Sequence, residues 1–509
     1  MYIIDCLYGR IDFKKKVYRC MLSPEMQRLR EVRLGNINSL CLTGSANSNR
    51  YEHSIGTAYL AKVNIEANKT SFPREYEEAF VLAALFHDLG NGPFGHSYEY
   101  IVQKQGFDPE KSIADVILGI KTGPHGKIGT CEPFYLGLQN EISSILNKND
   151  IYTIDKIVRG ENPYCSKILS SSIDIDNIDN VYRMAFHMGI NIDKRAPIEL
   201  AKGLICIDNT IYFKESAIPY LYDWYETRKK LYLMLLYNPQ DFAAKCMLSE
   251  LMENVLIREK DIIKWQFTDS ELMERIRSIE GEYWKEDALI PISLNEGLIS
   301  KDFENENSIR DTMNRLGIEI SDKAKVAIIK GNNKSIVFSY YNTEYVFCDG
   351  SLYKKGRRII TCPQALATRL MSGDLYGCIG IFVSKQIEYY DLFTNVEKKN
   401  QLEMECNYCI EKTGVKNLLI SFHGIIDKNK TNRQLEIRLE SGELFQIGTN
   451  THDLIIGVFV KSLNYGLKHH EIPSSKRDRI VSLIHDFLLN KGIDSREHTM
   501  YSEAKCIEN

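Results

Sequence analysis

The run Phe80-Val81-Leu82-Ala83-Ala84-Leu85-Phe86 is apolar on every face and ends on the pair His87-Asp88. Such a segment has no side to offer water, so it predicts a buried helix. A helix of this kind delivers an imidazole and a carboxylate into the interior. Burying that carboxylate is very costly unless a cation or hydrogen bonds compensate it. His53, in Arg50-Tyr51-Glu52-His53-Ser54, and Asp176, in Asp174-Ile175-Asp176-Asn177-Ile178-Asp179, bring donors of the same two types. Two imidazoles and two carboxylates suit a divalent transition metal and leave coordination positions open for water and substrate. A closed network of buried hydrogen bonds is the other way to satisfy the four.

Chain length sets the scale of the rest. With 509 residues the chain has room for two or three domains with large cores. A formal charge of -4 argues against the broad electropositive surface that drives non-specific nucleic-acid binding. The thirteen cysteines are scattered, which fits reduced thiols and a cytoplasmic location. Cys406-x-x-Cys409 is the one close pair, and without a second pair it reads as two ordinary thiols. The N-terminus lacks the pattern of a signal peptide, and no apolar run approaches membrane-span length. No membrane association is expected.

Periodic apolar positions make residues up to about 290 mostly helical, at 76–86, 112–118, 142–146, 176–187 and 217–236. From about 320, short β-branched and aromatic runs at 326–329, 335–339 and 345–347 read as strands. A third segment begins near 400, with strand-like runs at 417–422 and 434–439 and a helix at 476–489. The runs 379–385 and 456–462 are alike and read as buried strands. The basic stretch Tyr353-Lys354-Lys355-Gly356-Arg357-Arg358 reads as a solvated hairpin turn around Gly356, with phosphate or single-stranded nucleic acid binding as the alternative.

Several blocks in order carry a family resemblance. His87-Asp88-Leu89-Gly90-Asn91-Gly92-Pro93-Phe94-Gly95-His96-Ser97-Tyr98-Glu99 resembles the signature of HD-domain deoxynucleoside triphosphate triphosphohydrolases. The stretch 49–56 is similar to their first-histidine motif, and 173–179 to their last-ligand motif. Asp5 to Ile11, Gln27 to Arg30 and Leu221 to Arg228 are similar as well. The resemblance implies a mainly α HD-domain core followed by smaller α+β C-terminal regions. The divisions expected are 1–315 for the phosphohydrolase core, 316–400 for an α+β region and 401–509 for an α+β C-terminal extension.

By resemblance His53, His87, Asp88 and Asp176 hold one divalent metal ion per chain, of a kind (Mn, Fe, Mg or Zn) the sequence does not specify. Asp174 and Asp179 flank Asp176 and read as a helix cap or a solvated face. His96 and Glu99 match an acid/base pair of the bacterial branch, and their i, i+3 spacing suits one helical face. Arg50 and Arg228 stand where triphosphate contacts are expected, with a structural salt bridge as the alternative for each. Asn177, Asn180 and Met184 replace the family's Lys, Tyr and Asp of the phosphate and sugar pocket. Substrate contacts are expected at Asn177 and Asn180. A histidine of the eukaryotic branch is missing near Pro109.

The implied function is metal-dependent hydrolysis of deoxynucleoside triphosphates to deoxynucleoside and inorganic triphosphate, by a homo-oligomer (dimer or tetramer) acting on a nucleotide substrate. The alternative is a catalytically degenerate HD scaffold with a nucleotide-binding or regulatory role. Residues beyond about 400 carry no ligand or matched motif and are expected to be dispensable for the metal site.

Overall fold

The computed structural model describes residues 2–35, 48–95, 97–98, 117, 141–258, 266–279, 284–294, 296–318, 325–331, 335–415, 419–461 and 474–498. His96, Glu99, Pro109 and nearly all of the 112–118 segment lie outside them.

The apolar run forms the helix Glu77–Phe86, and every residue from Phe80 to Phe86 is buried. Beside it lies the helix Arg50–Ala67, whose N-cap Asn49 accepts the Glu52 N–H at 2.9 Å. The helix Ile175–His187 starts at Asp174, which accepts the Asn177 N–H at 2.6 Å. Each cap satisfies one donor that the first helical turn leaves without an intrahelical partner. Gly56 explains why the Arg50–Ala67 and Ile175–His187 helices meet so closely. A Cβ there would lie 2.0 Å from Asp179 Oδ1 and 2.3 Å from Arg183 Nη2. The helix Ile218–Tyr237 packs against Ile175–His187.

The later segments are α+β, as expected. Trp284–Ser293, Ser351–Thr361, Thr343–Cys348, Ser335–Tyr340 and Val326–Gly331 form a five-stranded antiparallel sheet in that spatial order. Its core holds Phe303, Phe338 and Phe347. The basic stretch is not a turn. Gly356 sits mid-strand opposite Ala288, and a Cβ on it would meet Ile290 Cδ1 at 2.6 Å. Its absent side chain makes room for Ile290 on the neighbouring strand, a use that glycine has in strands as well as in turns.

A second sheet orders Leu419–Ile426, Leu454–Lys461, Gly377–Ser384 and Arg496–Glu497. The two similar apolar runs are therefore adjacent antiparallel strands, both buried. Position 400 lies inside the helix Val396–Lys412, on which Cys406 and Cys409 are free thiols.

The last hundred residues do not stand apart. Leu435, Ile437, Ile447, Ile455 and Phe459 belong to the same apolar core as the helices that carry His53 and His87. Alternation in a strand reports that a face is buried, not which partner buries it. Among the described residues no helix is long and apolar enough to cross a membrane.

Candidate metal centre

Three helix termini converge on one point. His53 sits in the first turn of its helix, His87 caps the end of the apolar helix, and Asp176 lies in the first turn of the third. His53 Nε2 is 2.9 Å from Asp176 Oδ1 and 3.2 Å from His87 Nε2, and His87 Nε2 is 3.6 Å from Asp176 Oδ1. Ligands about 2.0–2.2 Å from one ion and at near-right angles stand about 3 Å apart, so this spacing is that of a coordination sphere.

The far nitrogens of both rings are committed. His53 Nδ1 donates to Asp179 Oδ2 at 2.8 Å, and His87 Nδ1 donates to the Ala84 carbonyl at 2.8 Å. With those protons assigned, both Nε2 lone pairs point into the same space. Two lone pairs and a carboxylate oxygen this close require a proton or a cation among them. Asn180 lines the same cleft, and its Oδ1 is buried with no hydrogen-bond partner among the described residues. The donor set and this orphaned oxygen fit a divalent transition metal with a ligand beside it.

Asp88 stands one step further out. Its Oδ2 is 3.8 Å from His53 Nε2 and its Oδ1 is 3.8 Å from His87 Nε2. Arg50 Nη1 donates to Oδ2 at 2.7 Å and Asn91 Nδ2 to Oδ1 at 2.6 Å. All four residues expected from sequence are thus together, with three in mutual contact and Asp88 held by Arg50 and Asn91.

The electrostatics favour a cation. Burial works against protonation of His87, but Asp88 and Asp176 outweigh it and push the ring up to about 10. His53 moves the same way, burial opposing and the hydrogen bonds to Asp176 and Asp179 prevailing. Burial raises Asp88, yet Arg50, His87 and His53 bring it down to about 2. Asp176 is held well below the usual carboxylate range, where His87 and His53 overcome burial. Asp174 moves the other way, up to about 7, through burial and then the charge of Asp176.

The remaining candidates divide. Arg50 lines the cleft. Asn177 does not line it, because Nδ2 is spent on Asp174, at 3.1 and 3.0 Å from its two oxygens. Arg228 lies on the helix Ile218–Tyr237, where Nη1 donates to the carbonyls of Asn429 at 3.2 Å and Lys430 at 2.6 Å. His96 and Glu99 are outside the described residues.

Asp174 is the helix cap expected, but Asp179 is neither a cap nor solvated. It is fully buried, and beyond His53 it takes Tyr8 Oη at 2.7 Å, Arg183 Nε at 2.9 Å and Arg183 Nη2 at 3.1 Å. Arg183 Nη1 continues to Asp5 Oδ2 at 3.0 Å. The spacing Asp176, Asp179, Arg183 (i, i+3, i+7) was the available signal for this role, since it puts all three along one helical face.

Sequence comparison agrees with this geometry. Residues 50–183 match the profile described as HD domain. The uncharacterized protein YwfO of Bacillus subtilis is 24% identical over 241 residues, covering 47% of this chain and 52% of that protein. The Dictyostelium discoideum homolog of deoxynucleoside triphosphate triphosphohydrolase SAMHD1 is 26% identical over 248 residues, 46% of this chain and 45% of its own. Human deoxynucleoside triphosphate triphosphohydrolase SAMHD1 is 26% identical over 273 residues, 45% and 40% respectively. The chain spans about half the length of the curated relatives it matches. With the ligand-type residues of three helices gathered at their shared end and the family profile covering all three, this chain carries an HD domain at residues 50–183.

Proposed function

We propose that this protein is a metal-dependent phosphohydrolase that cleaves deoxynucleoside triphosphates to deoxynucleoside and inorganic triphosphate, acting as a homo-oligomer. The observation that carries the reading is the convergence of His53, His87 and Asp176, whose ligand atoms lie within 4.8 Å of one another in a cleft shared with Arg50 and Asn180. The substrate class comes from the names of the slime-mould and human relatives.

A divalent metal, when bound, supplies Lewis acidity toward a phosphate oxygen and an attacking water. The chain does the rest. Asp179 and the Ala84 carbonyl hold the His53 and His87 rings with their Nε2 atoms facing the cleft. Arg50, anchored on Asp88 through Nη1, keeps a guanidinium at the cleft to meet phosphate oxygens. Asn180 offers its buried carbonyl oxygen to a donor on the substrate. The departing sugar 5′-oxygen needs a proton. His96, supported by Glu99, is assigned that task on the sequence motif and contributes about 10²–10⁴-fold.

A second reading rests on Asn177 and Asn180. The first is tied to Asp174, and the second cannot stack on a sugar as a tyrosine would. A scaffold with these features binds metal and nucleotide without turnover. One assay separates the two: incubate the pure protein with each deoxynucleoside triphosphate and Mn²⁺ or Mg²⁺, then resolve the products. Deoxynucleoside plus triphosphate supports hydrolysis of this kind. Binding without products selects the scaffold, and monophosphate plus pyrophosphate overturns the proposed bond of cleavage.

A further inference from the structure

We infer that residues 427–433 complete a polyphosphate-binding subsite on the helix Ile218–Tyr237, where Lys430 and Arg433 join Arg228 around Tyr232 to hold a nucleotide's triphosphate. The inference rests on the reading of the cleft as a nucleotide triphosphate site, and it assigns ligand contacts to the C-terminal third of the chain.

The segment is strapped across the helix by specific bonds. Arg228 Nη1 holds the Asn429 and Lys430 carbonyls, and Tyr225 Oη donates to Asn432 Oδ1 at 3.3 Å. The strap ends beside the helix that carries Asp176, because Arg433 Nη1 donates to the carbonyl of Ser172 at 3.3 Å, two residues before the Asp174 cap. The Arg228 guanidinium carbon is 4.8 Å from the Tyr232 ring centroid, and the Lys430 ammonium is 5.7 Å from the same centroid. Burial dominates the raised pKa of the Tyr232 phenol, and the charges of Arg228, Asp176 and Arg433 all act on it.

The charges are unbalanced. The carboxylate of Asp427 is spent inside the turn, on the N–H groups of Lys430 at 2.6 Å and Thr431 at 2.9 Å and on the Thr431 hydroxyl. Among the described residues no salt bridge reaches Arg228, Lys428, Lys430 or Arg433. Burial weakens the hold of Arg228 on its proton, and Arg433 weakens it further. Lys430 is exposed over the residue as a whole. The desolvation of its ammonium, then Lys428 and Arg228, still lower its proton affinity. Arg228, Lys428, Lys430 and Arg433 outnumber the one carboxylate acting on them, Asp427. An excess of like charge costs the fold stability, and such strain is common at ligand sites. A ligand carrying several negative charges along a short chain relieves it, and guanidinium and ammonium groups both suit phosphate oxygens.

The test is calorimetric titration of full-length, metal-loaded protein with inorganic tripolyphosphate. Lys430→Ala/Arg433→Ala should weaken binding by about tenfold or more, while Lys430→Arg stays near wild type. Lys430→Ala should melt at or above the wild-type temperature, because it loses repulsion and no hydrogen bond among the described residues; a purely structural role would lower it. Lys430→Ala alone keeps the test open if the double variant does not fold, since its side chain holds no hydrogen bond among the described residues. Unchanged tripolyphosphate affinity in folded variants overturns the subsite even if the wild type hydrolyses deoxynucleoside triphosphates. Weakened affinity in a protein that hydrolyses none of them leaves the subsite standing and removes the hydrolase reading.

Discussion

His53 Nδ1 and Asp179 Oδ2 stand 2.8 Å apart in a contact sealed from solvent on both sides. The carboxylate fixes which ring nitrogen carries the proton, and so aims the other at the centre of the cluster. Asp179 is itself held by Tyr8 and by Arg183, which reaches Asp5 at the end of the strand Tyr2–Asp5, paired antiparallel with Gly9–Asp12. A line of buried contacts thus ties the first strand of the chain to the proposed metal.

That relationship predicts opposite signatures for two substitutions. Asp179→Asn keeps an acceptor beside His53 and should fold, but with metal affinity reduced about 10–100-fold. Asp179→Ala leaves the buried Arg183 without its main partner and should lose about 3–5 kcal/mol of stability. Metal titration and denaturant unfolding measure the two effects. Wild-type metal affinity in Asp179→Asn would show that the ring needs no orienting partner.

The wild-type protein should carry about one divalent transition metal per chain, by the count of converging donors. His87→Ala and Asp176→Ala should each lose it, and elemental analysis of protein prepared without chelator reads this directly. A metal-free wild type refutes the ligand assignment.

His96→Ala should retain metal and nucleotide binding yet lose at least about 10²-fold in rate, the lower bound for a general acid. Glu99→Gln should lose less, since it keeps a hydrogen bond to the imidazole. The basic limb of the pH–rate profile should disappear in His96→Ala. Full activity in that variant moves the proton donor elsewhere.

His187 gives a pH signature away from the metal cluster. Hydrogen bonds to Cys6 and Glu52, with burial opposing, push its ring up to about 9. An unfolded histidine titrates near about 6.5. The raised value means the contribution is fully present below about pH 6.5 and lost as pH rises through about 9. The melting-temperature gap between wild type and His187→Ala should therefore be widest near pH 6 and narrow above pH 9. A gap that does not change with pH assigns the residue a packing role only.

Ending the chain at Lys399 should yield insoluble protein. The cut falls within the helix Val396–Lys412, strips the central Gly377–Ser384 strand of its Leu454–Lys461 neighbour and removes Ile455 and Phe459 from the shared core. A soluble, metal-loaded fragment with unchanged melting behaviour would contradict this packing.

The apolar helix, the order of the ligand-type residues and the change from helical to strand periodicity were all legible in the sequence. Each depends on neighbours within a few residues, and local patterns record such neighbours faithfully. The motifs alone singled out His53, His87, Asp88 and Asp176 as candidates, and the structure gathers His53, His87 and Asp176. The structure alone decided what Asp179 does, because a carboxylate on a polar helix face looks the same whether that face meets water or an imidazole from 126 positions earlier. It also decided the setting of Gly356, which depends on Ile290 in a neighbouring strand, and that of Arg228, whose acceptors come 201 and 202 positions later. Long-range pairing is set by packing, and packing brings together residues whose separation along the chain leaves no periodic trace.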